Sequence, residues 1–197
     1  MLARAAPALF EQPHALSAPA VVANEFQHVE QVNEFFNRLA RIPDRRLWGQ
    51  EDYWAAPDEV MRVGGGDCED LAAAKYFSLR ELGVPAERLR LVYARVLDIQ
   101  RQRIEPHVVL WYRPDVDADA SREWLVLDSL RSDIRPRTQR GDLLSWLTFN
   151  EVQVARLTPS GVENPLGGTE LLKPWNILLA RHNALDTVAL VISIHTL

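Results

Sequence analysis

The stretch GGGDCED, residues 64–70, sets the architecture expected for this chain. Its three glycines carry no side chains, so another backbone segment is expected to approach closely there. Asp67 is a suitable N-cap, and Asp70 stands at the third helical position, as in a capping box. A helix is therefore predicted from Asp67 to about Leu82, with Gly83 supplying the stop.

Cys68 falls in the first turn of this helix and is the only cysteine of the sequence. No internal disulfide can form, so cysteine content does not indicate whether the protein lies in a reducing or an oxidising compartment. The helix N-terminus favours a thiolate, whereas the carboxylates of Asp67, Glu69 and Asp70 oppose it. A lone cysteine is more often a small buried apolar residue than a nucleophile. If Cys68 is a nucleophile, a histidinium or a bound cation is expected beside it.

The remaining chain predicts an α+β domain, with helices packed on an antiparallel sheet. Residues 1–24 are interpreted as a loose arm, and residues 25–197 as a single domain. Within that domain the pattern predicts a helix over about 25–40, an irregular segment over 44–66, strands over 89–97, 107–112 and 124–128, and one further strand over 188–194. Short polar loops between the first three strands indicate an antiparallel meander.

Helical spacing on the segment from residue 67 to 82 places Leu71, Ala72, Leu79 and Leu82 on one apolar face. Lys75 falls inside the same arc, which is unusual for a face directed at the core. Either its stem snorkels to solvent or its ammonium has a buried partner.

His107 is the candidate general base, because a simple hairpin register brings it to Asp128. If Trp111 faces Trp124 on neighbouring antiparallel strands, His107 faces Asp128, and opposed Cβ atoms lie about 4.5–5.5 Å apart. A hydrogen bond between them would orient the ring, as the third member of a triad does. The other histidines, His14, His28, His182 and His195, fit this role less well. A satisfied histidine at a strand end is the alternative.

Composition and charge exclude several classes of protein. The chain has 197 residues, 47% of them hydrophobic, and a net charge of -5, which does not suggest nucleic-acid binding. The basic stretch Arg131 to Arg140 is interpreted as a solvated surface segment. No run of 18 apolar residues suggests a transmembrane helix. The first residues lack a clear secretory h-region, so either the protein is cytoplasmic or a signal peptide precedes this sequence.

Several motifs, taken in order, resemble the bacterial transglutaminase-like cysteine proteinases, whose best-known members are the LapG-type periplasmic adhesin proteases. The similarity covers about residues 30 to 151. It is carried by 32–37 (VNEFFN), 52–54 (DYW), 57–59 (PDE), 64–72 (GGGDCEDLA), 75–79 (KYFSL), 107–110 (HVVL), 126–130 (VLDSL), 140–143 (RGDL) and 149–150 (FN).

This resemblance implies a papain-like transglutaminase core and a catalytic triad of Cys68, His107 and Asp128. It also implies calcium bound through the acidic residues that flank the cysteine, Asp67 and Glu69. Amide hydrolysis would proceed by attack of the thiolate and proton donation from His107 to the leaving amine. Backbone amides near Cys68 would form part of the oxyanion hole.

The same resemblance implies partners and a location. Members of the family cleave large repeat adhesins near their N-terminus, between two alanines. An inner-membrane receptor that senses cyclic di-GMP sequesters the protease, and so controls adhesin release and biofilm dispersal. A periplasmic location, without a span of its own in the membrane, follows from this resemblance.

Three alternatives remain open at this point. The same core supports acyl transfer to an amine, and it also serves as a scaffold in a binding module without activity. Asp67 and Glu69 are also explained as a helix cap and a favourable dipole contact. The acidic run over 115–121 begins like an EF-hand loop but lacks the glycine and glutamate of that motif, so it is interpreted as a solvated loop.

Overall fold

The computed structural model of the chain describes residues 18–98, 102–115 and 123–195. Across these ranges the backbone forms five α-helices and nine strands. The helices are α1 (Ala18–Asn37), α2 (Asp44–Leu47), α3 (Pro57–Val63), α4 (Cys68–Glu81) and α5 (Lys173–His195). The strands are β1 (Ala40–Arg41), β2 (Gly65–Gly66), β3 (Leu89–Asp98), β4 (Arg103–Tyr112), β5 (Leu125–Leu127), β6 (Arg135–Pro136), β7 (Leu143–Phe149), β8 (Val154–Leu157) and β9 (Glu163–Gly167).

The main sheet is antiparallel throughout and has the strand order β6-β5-β4-β3-β7-β8-β9. The three predicted central strands are confirmed as β3, β4 and β5, and their predicted meander is confirmed by the pairing of β4 with both neighbours. The pair β1 and β2 forms a separate parallel ladder that ends immediately before α4.

Helix α4 packs its small and aromatic side chains on one face of the main sheet. Ala72, Ala73 and Tyr76 are buried in the same core cluster as Leu91 and Leu110. This packing confirms the α+β class, with helices on an antiparallel sheet and the cysteine at a helix N-terminus.

Both ends of α4 follow from the local sequence. Asp67 has extended backbone angles immediately before the first helical residue, and its N–H donates to Asp70 Oδ2 at 3.3 Å. At the other end, Gly83 adopts φ +91, which suits a glycine, and Val84 N–H donates to Leu79 O at 3.0 Å. Leu82 is 51% exposed, so its predicted place on the buried face is wrong.

Three other predictions about secondary structure need correction. Helix α1 begins at Ala18, inside the predicted arm, and ends at Asn37. The segment 44–66 is not irregular but contains α2, α3 and β2, which are too short to show a periodic pattern. Residues 188–194 lie in α5 and not in a strand, because a short apolar run cannot distinguish a helix from a strand.

Helix α5 begins beside the main core, in which Trp175 and Leu178 are fully buried. The Trp175 indole N–H donates to Asn150 O at 3.0 Å and so attaches the helix to the end of β7. None of the helices in the described ranges is long and apolar enough to cross a lipid bilayer. Of the acidic run over 115–121, the structure describes Asp115, and the rest lies outside the described residues.

Gly65 confirms the predicted close approach of backbone segments. A Cβ at this position would lie 2.3 Å from Ala40 O, across the β1–β2 ladder. We expect Gly65→Ala to lower the free energy of unfolding by about 1–3 kcal/mol, because the ladder must shift to admit a methyl group. Urea denaturation monitored by circular dichroism measures this change.

Gly141→Ala is the matched control, because a Cβ there meets no atom within 4 Å. Its unfolding midpoint should stay close to that of the unmodified protein. Equal midpoints for the Gly65 and Gly141 variants would show that the ladder tolerates a side chain at Gly65.

Candidate active site

The thiol of Cys68 lies at the start of α4, where the helix meets β4. The side chain is half-buried and donates to Glu69 Oε2 at 2.9 Å. The backbone N–H of Val108, the residue after His107, lies close enough to the same sulfur to lower the pKa of the thiol. The helix start and the strand thus bring the cysteine and the neighbour of the histidine together.

The electrostatic conflict expected around Cys68 is present. Burial raises the pKa of the Cys68 thiol well above its ordinary value, and the charges of Glu69 and Asp67 raise it further. The Val108 N–H acts in the opposite direction. The sulfur is therefore held as a thiol beside the carboxyl groups of Asp67 and Glu69.

His107 and Asp128 form the predicted hydrogen bond. His107 Nε2 lies 2.7 Å from Asp128 Oδ1, and both side chains are buried. Because Nε2 is engaged by the carboxylate, Nδ1 is the ring nitrogen left to accept a proton from a sulfur. Burial raises the pKa of Asp128, but His107, the Leu130 N–H and Arg140 together hold that pKa well below its ordinary range.

The strand register assumed for this pair is wrong by two residues. Trp111 pairs with Val126, not with Trp124, and Leu110 pairs with Leu127. His107 and Asp128 are therefore diagonal and not directly opposed. They still meet because side chains two residues apart lie on the same face of a strand, so a slip of two positions preserves the face.

The unusual position of Lys75 is explained by a buried partner. Lys75 Nζ donates to Asn33 Oδ1 at 2.8 Å and to Asn37 Oδ1 at 2.7 Å. Asn37 Nδ2 in turn donates to Asp128 O at 3.0 Å. Burial lowers the pKa of Lys75 to about 7, against the opposing charge of Asp128. Helices α1 and α4 thereby hold the backbone of the residue that orients His107.

The interpretation of residues 131–140 as a solvated segment is wrong at its last residue. Arg140 is 3% exposed, and its Nη2 donates to Asp128 Oδ2 at 2.7 Å. Arg131 and Arg135 do pair with Asp133 near the surface. The composition of this segment gave no sign that Arg140 is buried, because its partner Asp128 lies outside the segment.

Two further tryptophans lie in the hydrophobic core. Trp54 and Trp111 are buried, in agreement with a core role. The Trp54 ring contacts Tyr93, with centroids 6.1 Å apart. Burial above all raises the pKa of the Tyr93 phenol, and the charges of Asp52, Glu69 and Cys68 raise it further.

Five carboxylates surround the start of α4 and are here called the acidic cluster: Asp44, Asp52, Asp67, Glu69 and Asp70. Their oxygens approach within 4.8 Å of one another in overlapping groups of three, one of which includes the Cys68 sulfur. Sequence reasoning found Asp67 and Glu69. It missed Asp44 and Asp52 as partners, because α2 and the loop after it had been read as irregular.

Two carboxylate oxygens of the acidic cluster lack a hydrogen-bond partner among the described residues. Asp44 Oδ1 and Asp67 Oδ1 are buried and accept no hydrogen bond from the residues that the structure describes. Burial and mutual repulsion raise the pKa of Asp67 to about 9, and burial above all raises that of Asp44 to about 6. Asp70 differs, since it accepts from Ala55 N–H at 2.6 Å and from Asp67 N–H. The cluster fits a hard divalent cation.

Comparison with known proteins agrees with this geometry. The family model described as bacterial transglutaminase-like cysteine proteinase BTLCP matches residues 11–144. The EGTA-treated structure of Legionella pneumophila LapG is 32% identical, with a TM-score of 0.64, over 82% of this chain and 84% of LapG. The calcium-bound structure of LapG is 33% identical, with a TM-score of 0.64, over 83% and 86%. No curated protein matches the chain significantly.

Proposed function

This chain belongs to the bacterial transglutaminase-like cysteine proteinases, and on that premise we propose that it is a calcium-dependent endopeptidase that cleaves a large cell-surface adhesin. One observation carries the proposal. The Cys68 thiol lies at a helix N-terminus beside the Val108 amide, and the adjacent His107 is held by Asp128. This arrangement supports Cys68 as the nucleophile, His107 as the base and Asp128 as the carboxylate that orients the base.

The roles of the three side chains follow from their contacts. His107 Nδ1 accepts the Cys68 proton, because Nε2 is bound to Asp128. The sulfur attacks the scissile carbonyl, and the imidazolium then donates its proton to the leaving amine. Asp128, buried and anionic, stabilises the imidazolium during this step. Water hydrolyses the resulting thioester with His107 acting again as the base.

Calcium is assigned to the acidic cluster, with Asp67 and Glu69 as its ligands and Asp44 and Asp52 as further candidates. Their oxygens include the two buried atoms without hydrogen bonds, Asp44 Oδ1 and Asp67 Oδ1. When bound, the cation would cancel the negative charge that keeps Cys68 protonated. The calcium-bound structure of LapG supports this assignment through the similarity of the two chains.

The substrate, regulation and location proposed for the chain come from the family resemblance. The adhesin would be cut near its N-terminus between two alanines, which releases it from the cell and promotes biofilm dispersal. An inner-membrane receptor for cyclic di-GMP would bind the protease and inhibit it. The site of action would be the periplasm.

The test is cleavage of a recombinant N-terminal fragment of the large repeat adhesin encoded in the same genome. We expect one cut with calcium present, located by N-terminal sequencing between two alanines, and no cut with Cys68→Ala. Adding the periplasmic domain of the cyclic-di-GMP receptor should reduce the rate. The concentration of active protein is first measured by titration of the active site. If the fragment then stays intact after prolonged incubation, the adhesin is not the substrate.

A fluorescent primary amine in the same reaction distinguishes hydrolysis from acyl transfer. Hydrolysis predicts two fragments that lack the label. Incorporation of the amine into the fragment would instead establish the transglutaminase-like reaction.

A further inference from the structure

The guanidinium of Arg140 continues the chain of contacts that begins at His107. Its Nη2 donates to Asp128 Oδ2 at 2.7 Å and to Asp142 Oδ2 at 2.8 Å, and its Nε donates to Asp142 Oδ1 at 2.8 Å. Arg140 is 3% exposed, whereas the Asp142 side chain is 28% exposed. The order of contacts from the surface inwards is Asp142, Arg140, Asp128 and His107.

Both oxygens of the Asp128 carboxylate are engaged, and they have different partners. Oδ1 receives His107 Nε2 and, at 2.9 Å, the Leu130 N–H, whereas Oδ2 receives Arg140. Among the described residues, Arg140 is therefore the hydrogen-bond partner that holds Oδ2. Without it, the carboxylate could rotate about Cβ–Cγ and lose the orientation in which Oδ1 faces the imidazole.

The charge of Arg140 matters as much as its geometry. Asp128 is 0% exposed, and a carboxylate without solvent requires compensating charge to remain ionised. His107 changes its charge when it accepts and releases the thiol proton, so it cannot supply that compensation throughout a turnover. Arg140 stays cationic, because guanidinium groups do not deprotonate in proteins.

We propose that Arg140 is a positioning residue of the catalytic triad, which fixes the Asp128 carboxylate, and that Asp142 orients Arg140 for this task. The proposal rests on the proposed function, in which Asp128 orients His107. It assigns a role to the Arg140-Gly141-Asp142 motif, which the triad and the acidic cluster leave unexplained. A guanidinium suits this position, because its planar N–H donors can make two parallel hydrogen bonds to Asp142 and one to Asp128. The ammonium group of a lysine cannot direct three hydrogen bonds in one plane.

The activity test uses Arg140→Gln, Arg140→Lys and Asp142→Asn, with Arg131→Gln as the matched control. Arg131 pairs with Asp133, outside the triad. We expect kcat to fall on the order of 10- to 100-fold in Arg140→Gln, with KM little changed. Losses of this size are typical when a residue that holds an active-site side chain in place is removed. Arg140→Lys should recover part of the loss, and Arg131→Gln should match the unmodified protein.

A double-mutant cycle separates positioning from general stability. If Arg140 acts through Asp128, Arg140→Gln should cause little further loss of kcat in an Asp128→Ala background. Additive losses would overturn the proposal. If Arg140→Gln does not fold, Asp142→Asn provides the same cycle, because it loosens the guanidinium without removing its charge.

NMR of protein labelled with ¹⁵N-histidine provides a readout that needs no substrate. The Nε2–H resonance of His107, assigned with His107→Gln, should shift or broaden in Arg140→Gln and remain unchanged in Arg131→Gln. Unchanged His107 resonances in a folded Arg140→Gln variant would refute the positioning role. Failure of the adhesin assay alone would refute the substrate and leave this test intact.

Discussion

Cleavage is expected to disappear when either Cys68 or His107 is replaced by alanine, with the fold retained. Cys68 carries the only thiol of the sequence, so no neighbouring residue can replace the nucleophile. His107→Ala removes the base that is bound to Asp128 at 2.7 Å. Asp128→Ala should lower the rate on the order of 10²–10⁴-fold, because it removes orientation and charge support while the nucleophile and base remain.

Circular dichroism measures whether each variant is folded, and cleavage of the adhesin fragment on gels measures its activity. His28→Ala is the matched control, because His28 lies on α1 and outside the contacts that hold His107. It should retain full activity. Robust cleavage by a folded His107→Ala protein would remove His107 from the mechanism, and unchanged cleavage by Asp128→Ala would remove the orienting role.

The sequence predicted α4 and its cysteine well because the signals there are local. The N-cap, the third-position acid and the stopping glycine act within a few residues of one another, and the structure has all three. The pair of His107 and Asp128 was found although the assumed register was wrong. Side chains alternate between the two faces of a sheet with a period of two. An error of two residues in the register therefore left His107 and Asp128 on the same face.

The parts that sequence reasoning missed depend on contacts between distant segments. Arg140 looked like one member of a basic surface run, and only the fold places it against Asp128. Asp44 begins a helix of four residues, too short for any periodic signal, yet it reaches Asp67 and Asp70. Lys75 did give a local signal, since a charge on an apolar face requires a partner, but the identity of Asn33 and Asn37 could not be predicted.

Removal of calcium is expected to inhibit cleavage as strongly as removal of one of the carboxylates that bind it. The Cys68 thiol donates to Glu69, and the carboxyl groups of Glu69 and Asp67 raise the pKa of the thiol. Excess EGTA should therefore abolish cleavage, and added Ca²⁺ should restore it. Asp67→Ala and Glu69→Ala should each lose activity in saturating Ca²⁺, whereas Glu81→Ala, at the other end of α4, should not.

Stability provides a second measurement, with a defined dependence on pH. In the folded chain the pKa is raised from 3.8 to about 9 for Asp67, to about 7 for Asp70 and to about 6 for Asp44. Because these folded values exceed the unfolded ones, the three carboxyl groups bind more protons in the folded chain than in the unfolded chain. With calcium removed by EGTA, the protein should therefore gain stability as pH falls from about 7 towards 4, whereas above pH 7 the lowered pKa of Lys75 acts in the opposite direction. Calcium must displace the same protons, so its stabilising effect should be larger at high pH.

The decisive comparison is the shift in melting temperature caused by Ca²⁺ at pH 8 and at pH 5.5. Binding to ionised carboxylates predicts a clear rise at pH 8 and a smaller one at pH 5.5, and Asp67→Ala should abolish most of both. Mg²⁺ should be a weaker substitute, because it demands a tight octahedral shell that a cluster of side-chain carboxylates does not readily provide. If cleavage persists in excess EGTA and Ca²⁺ leaves the melting temperature unchanged, Asp67 and Glu69 serve as a helix cap and the acidic cluster holds protons in place of a metal.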